Sequence, residues 1–270
     1  MTLIVTPTAF TVAKTEIDQN EFNDWVEFND LGELSGTPLS ALMNEDCDAG
    51  SHRLVEFAGR HCYRSWKVGR ERAAYIGNII DQDHGSVLEH ANLTFAIQGV
   101  SRTLTHEMVR HRVGVAISQE SQRYVNAEET NFVVPPLLLH ISKGVTDPAH
   151  PLIAKFKEQC DRDVADYIEF QSSLREALGG TVLKTTEKKR INEAARSRLP
   201  NAAETRLTWT ANMRTLRHFF KMRGQAFADL EIRRLACHLH DCAMLKAPLF
   251  FADFHQENGD YGVNVIVQDT

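Results

Sequence analysis

The stretch Arg102–Tyr124 reads RTLTHEMVRHRVGVAISQESQRY, and more of the molecule's organisation hangs on it than on any other. Ser101 precedes it as an N-cap, so a helix is expected from Arg102 to about His111, with Arg110, His111 and Arg112 at its C-terminal end. Cations there complement the helix dipole, and Gly114 follows at once. Ser118, Gln119, Ser121, Gln122 and Arg123 then form a polar loop almost without apolar content. Arginine forks hold phosphate through paired hydrogen bonds, and Ser and Gln donors can meet a pyrimidine edge or a ribose. A helix cap accounts for the three cations but not for the donor-rich residues after them. The stretch is therefore expected to bind an anion.

Working outward, Leu93, Phe95 and Ile97 alternate with polar or small neighbours as a strand, as do Leu207, Trp209 and Ala211. The N-terminal MTLIVTPTAFTVAK also reads as a strand. Helices are expected from Arg53, over Arg70–Asp83, and from Ala228 to Lys246. Asn212 can cap another running to Arg223. Phe132–Val134 reads as a short strand stopped by Pro135 and Pro136. A long amphipathic helix follows, burying Leu152, Ile153, Phe156, Cys160, Val164, Tyr167, Ile168 and Leu174 and ending at Gly179-Gly180. Thr185 or Thr186 caps the next helix, which stops before Pro200. Residues 30–50 are rich in Gly, Ser, Pro and acids and read as a surface excursion. Helices and strands intersperse without a regular βαβ rhythm, which predicts α/β (α+β): one domain over residues 1–270, a mixed sheet with long helices.

The composition, 43% hydrophobic and 24% charged over 270 residues, fits a soluble globular protein. No apolar run approaches the roughly 20 residues of a membrane helix. The scattered, odd set of five cysteines suits free thiols in a reducing cytoplasm. A net charge of −6 does not suit nucleic acid, whereas local arginine clusters suit small anionic ligands. Lys184, Lys188, Lys189 and Arg190 read as a solvated helix face.

Several familiar motifs fail. His106-Glu107 opens like a zincin, but His111 comes one residue too late to share a helix face with His106. Cys237–Cys242 carries ligand types spread around a helix, so no metal is expected. There is no Gly-rich phosphate loop, no Rossmann fingerprint and no activated cysteine.

RHR (Arg110–Arg112), eight intervening residues and SQRY (Ser121–Tyr124) together resemble the signature of the flavin-dependent thymidylate synthases. HGSVLEH (His84–His90) resembles that family's upstream flavin-site segment. RSRLPNAAETRLTWTANMRTLRHFFKMR (Arg196–Arg223) resembles its downstream nucleotide- and flavin-binding half. The three ordered blocks cover most of Leu54–Phe254.

The resemblance implies C5 methylation of dUMP to dTMP, with 5,10-methylenetetrahydrofolate as carbon donor and NADPH as reductant through FAD. It places Glu107, Arg110, Gln119, Glu120, Ser121, Gln122, Arg123, Arg196 and Arg223 around the pyrimidine nucleotide, with Arg223 and Ser121 in the catalytic group. It places His84, Ser86, Arg110, His111, Arg112, Gln119, Asn212, Arg214, His218 and Met222 around FAD. It also implies a homotetramer whose active sites combine residues of more than one subunit. This chain departs from the pattern at Ala116, where a hydroxyl is common, and at Phe227, where a histidine is usual. Nothing in the spacing separates dUMP from UMP, since the two differ by one oxygen atom.

Overall fold

Period-2 and period-3.6 patterns map onto the chain in the order the sequence predicts, with additions at both ends. The computed structural model describes residues 2–31, 39, 42, 50–67, 69–147, 149–180 and 184–269. Short strand β1 (Leu3–Ile4) and β2 (Thr8–Lys14) lead into α1 (Gln19–Phe28), α2 (Gly50–Tyr63) and α3 (Arg72–Asp81). A 3-10 turn, Gly85–His90, then feeds β3 (Asn92–Ser101) and α4 (Arg102–Met108). Strands β4 (Val115–Gln119) and β5 (Phe132–Val133) follow, then α5 (Pro136–Ile141), α6 (Pro151–Ala177) and α7 (Thr185–Ala195). Last come β6 (Glu204–Asn212), α8 (Met213–Arg223), α9 (Leu230–Lys246) and a hairpin of β7 (Phe254–Glu257) and β8 (Val265–Gln268).

The main sheet has the order β2-β3-β6-β4 and is antiparallel throughout. The expected mixed sheet is thus corrected: among the described residues parallel pairing occurs only between β1 and β5. The register puts Phe95 opposite Trp209 and Ile97 opposite Leu207, so one face is continuously apolar. Against it pack Leu216, Phe219 and Phe220 of α8 and Leu235 and Leu239 of α9, all fully buried. The opposite face looks outward, leaving Phe10 and Val12 56% and 59% exposed.

Several local expectations change. The helix expected to reach His111 ends at Met108, so Arg110, His111 and Arg112 lie in the turn beyond it. The loop expected at Ser118–Gln119 is the end of edge strand β4, because Val115 and Ile117 alternate inward with Ala116 and Ser118 outward. Pro136 does more than stop β5: it occupies the first turn of α5, where a missing N–H costs nothing. On α6 the buried stripe is Ile153, Cys160, Tyr167 and Gln171, while Leu152 and Ile168, each one residue off it, are exposed. Lys184, not Thr185 or Thr186, is the N-cap of α7, and Glu187 Oε2 accepts its backbone N–H at 2.7 Å. Of residues 32–49 in the 30–50 excursion only Leu39 and Leu42 are described. Both are fully buried with Phe22, Val26 and Trp66, so the surface reading is corrected for those two. Helix α1 and the β7–β8 hairpin were not anticipated.

Candidate active site

Two caps predicted from sequence set the frame. Ser101 Oγ accepts from Leu104 N at 3.1 Å, starting α4, and Asn212 Oδ1 accepts from Thr215 N at 2.8 Å, starting α8. Between them Gly114, at φ +68°, carries the chain from the Arg110–Arg112 run into β4. Its carbonyl accepts from Asn212 N at 3.0 Å, and Thr215 Oγ1 donates to Val113 O at 2.8 Å. A Cβ at 114 would lie 2.3 Å from Asn212 Nδ2 and 2.5 Å from Thr215 Oγ1. Only glycine meets both the conformation and the space.

That turn delivers His111 to the last residue of α8. Arg223 Nε donates to His111 Nε2 at 2.9 Å, and Arg223 Nη1 pairs with Glu107 Oε2 at 2.7 Å. The His111 ring also stands edge-on to Phe219, with centroids 5.2 Å apart. Burial, with the positive charges of Arg223, His218 and Arg110, pushes the imidazole pKa down to about 4. A guanidinium can only donate, so Nε2 is an acceptor and the neutral ring carries its proton on Nδ1. Glu107 and His111 thus hold Arg223 from two sides.

Around the next turn of chain, Gln119 Nε2 is held by Thr105 Oγ1 at 3.2 Å and Thr205 Oγ1 at 3.1 Å. Arg123 Nη2 pairs with Glu193 Oε2 at 2.7 Å, and its amide meets Ser121 Oγ at 3.4 Å. Arg196, in the 3-10 turn after α7, lies close enough to Arg102 that burial and this second cation lower the Arg102 pKa, opposed by Glu120. Among the described residues no hydrogen bond links this polar group to the Glu107–His111–Arg223 group. Arg102, Asn192 and Glu193 were missed as site neighbours. The one sequence signal for the latter two is spacing, since they precede Arg196 by four and three residues and share its helix face.

Next to these groups a cavity of about 340 Å3 opens between the 85–90 turn and α8. Ile79, Ile80, Leu88 and Phe254 form its apolar part, and Arg214 and Lys221 its cationic part, with His218 beside them. Arg217, also on its wall, is engaged in both oxygens of Asp253 at 2.6 and 2.7 Å. Among the described residues Arg214 pairs only with Glu89, at 2.6 Å in an exposed pair, which an incoming phosphate can displace at little cost. A Cβ on Gly85 would come within 2.8 Å of Arg214 Nε, so glycine keeps this wall open. An apolar pocket with a cationic rim fits a flavin nucleotide. His84 and Ser86 flank Gly85 and are exposed, as are Arg110, Arg112 and Met222. Asn212 is buried, and its Oδ1 is occupied by the helix cap.

Residues 43–249, which contain the Glu107–His111–Arg223 group, the 119–123 stretch and Arg214 and His218 of the cavity, match the family described as thymidylate synthase complementing protein. A flavin-dependent thymidylate synthase of Mycolicibacterium vanbaalenii is 44% identical over 221 residues, 80% of this chain and 84% of that one. The chain belongs to the flavin-dependent thymidylate synthase family. Similar relatives of the same description occur in Mycobacteroides abscessus, 44% identical over 222 residues, and Mycobacterium tuberculosis, 43% identical over 221. Each match spans 80% of this chain and 84% of the relative.

Proposed function

We propose that the chain, as a single domain over residues 1–270, methylates dUMP at C5 to give dTMP. The carbon donor is 5,10-methylenetetrahydrofolate, and NADPH supplies the reducing equivalents through FAD. The observation that carries this reading is the Glu107–His111–Arg223 group beside a cationic, partly apolar cavity, within a chain of this family. FAD would lie along Gly85, Arg214 and His218, with His84, Ser86, Arg112 and Met222 about it, and would supply the redox chemistry. The pyrimidine nucleotide would be held by Arg110, Gln119, Glu120, Ser121, Gln122, Arg123 and Arg196.

The residues' own work is orientation and charge. Arg223, fixed by a carboxylate and a neutral imidazole, presents its guanidinium to an electron-rich uracil oxygen or nitrogen. Ser121 donates a hydrogen bond to the nucleotide. No base is hydrogen-bonded to its hydroxyl among the described residues, which supports a binding role over that of a nucleophile. Many of the assigned flavin groups are exposed on one chain, and the outer sheet face carries Phe10 and Val12. Both features support a homotetramer in which neighbouring subunits complete each site. No described helix is long and apolar enough to cross a membrane. The free thiols of Cys62, Cys160, Cys237 and Cys242 support a place in the reducing cytoplasm.

The test is tritium release from C5-labelled dUMP by the purified, FAD-loaded protein with methylenetetrahydrofolate and NADPH. Release that requires all three components supports the reading. A protein that takes up no FAD, or releases tritium from UMP and not from dUMP, overturns it.

A further inference from the structure

The loop from Glu120 to Asn131 joins two strands and is irregular along its length, yet it carries Ser121, Gln122 and Arg123. Its anchors come from helices α6 and α7 through a buried chain of polar groups. Tyr167 OH donates to Asn126 Oδ1 at 3.0 Å and accepts from Ala127 N at 3.4 Å. Gln171 Nε2 donates to Tyr167 OH and to Asn192 Oδ1, both at 2.7 Å. Asn192 Nδ2 then donates to the carbonyl of Arg123 at 3.3 Å. Tyr167 is fully buried and Gln171 is 4% exposed.

Packing α6 on α7 needs no polar group at position 171. Tyr167, one turn before it, already packs with Ala127, Ala195, Phe170 and Leu199 in an apolar cluster that joins α6 to α7. An amide buried there is unfavourable unless both its N–H groups are satisfied, and here each is given to a different element. One amide nitrogen with two fixed hydrogens sets the separation of Tyr167 from Asn192. It therefore sets where the loop sits against the helix that ends in Arg196.

We propose that Gln171 and Asn192 are positioning residues for the nucleotide: their relay fixes the backbone of Arg123, while Glu193 fixes its guanidinium at 2.7 Å. The inference rests on the reading of Arg123 as a nucleotide ligand. The relay touches neither nucleotide nor flavin. It holds two parts of the nucleotide site, the 121–123 loop and the end of α7, at one spacing.

The test is dUMP binding by calorimetry to the FAD-loaded protein, using Gln171→Leu, Asn192→Ala and Arg123→Ala alone and combined. Gln171→Leu and Asn192→Ala should each raise the dUMP Kd about tenfold, as expected when a ligating side chain loses its fixed position. FAD retention should stay unchanged, and either substitution should add little to Arg123→Ala. Asn192 is only half-buried, so its variant reports even if Gln171→Leu fails to fold. Unchanged dUMP affinity in Asn192→Ala, with Arg123→Ala clearly weakened, overturns the relay and leaves the function standing. Effects that add fully to Arg123→Ala show a general packing role and also overturn it. If Arg123→Ala itself binds dUMP normally, the ligand assignment fails first and the relay with it.

Discussion

Arg223 Nε donates to His111 Nε2 at 2.9 Å across 112 positions of sequence, tying the end of α8 to the turn after α4. The bond requires a neutral imidazole, and the depressed pKa of His111, about 4 against an ordinary 6.5, agrees with that. Between those two values the unfolded chain binds a proton at His111 that the folded chain does not. Stability should therefore fall as pH drops from about 6.5 to about 4, and be unaffected by this group above 6.5. Melting temperatures from pH 7.5 to 4.5 should show a shallower acid loss in His111→Gln, whose amide oxygen can still accept from Arg223. Equal slopes for both proteins would show that His111 is not the titrating group.

Gly114→Ala should be among the most damaging small substitutions in the chain. The left-handed backbone costs a non-glycine residue roughly 1–2 kcal/mol, and the added carbon meets Asn212 Nδ2 at 2.3 Å. The melting temperature should fall by several degrees, and FAD retention should fall with it, because the displaced turn carries His111 and Arg112. A variant as stable and as yellow as the parent would refute this account of the turn.

Ser121→Ala and Arg123→Lys separate binding from chemistry. Removing one hydrogen bond to a charged or polar ligand costs roughly 1–3 kcal/mol, so Ser121→Ala should raise KM for dUMP and keep measurable turnover. Lysine cannot reproduce a paired guanidinium contact or the bond to Glu193 in the same geometry, so Arg123→Lys should be the more impaired. Rates at saturating nucleotide decide the matter. Abolished turnover in a Ser121→Ala protein that still binds FAD and dUMP would make the serine chemically essential.

Phe227 is 78% exposed just beyond α8, so it contributes little to the core. Phe227→His should leave the melting temperature nearly unchanged, within about 0.5 kcal/mol of stability. It should lower the Kd for FAD by supplying a hydrogen-bond donor on that surface. Weaker FAD binding in the variant would show that the aromatic face, not a polar contact, is what this position offers.

The local grammar of the chain was readable without coordinates. Ser101 and Asn212 cap the helices they were expected to cap, and the alternation at 93–97 and 207–211 is the inner face of the sheet. Caps and alternating patterns are short-range physics, written within a few neighbouring residues. The same alternation was present at Val115–Gln119, but its polar content masked a strand that, among the described residues, pairs on one side only. Gln171 illustrates the reverse error: a polar residue on the long helix that is buried because its partners, Tyr167 and Asn192, satisfy it. The chemistry-bearing stretch and its family resemblance were likewise legible, since they depend on residue identity and order.

What the sequence by itself determined is therefore the set of elements, most of their boundaries and the residues available for anion binding. Only the tertiary structure decided which of those residues meet. That Arg223 is clasped by Glu107 and His111, and Arg123 by Glu193, depends on the antiparallel register of β4 on β6 and on α7 packing against α6. Such long-range contacts are set by the burial of the apolar sheet face and by how its helices pack, which no local pattern encodes.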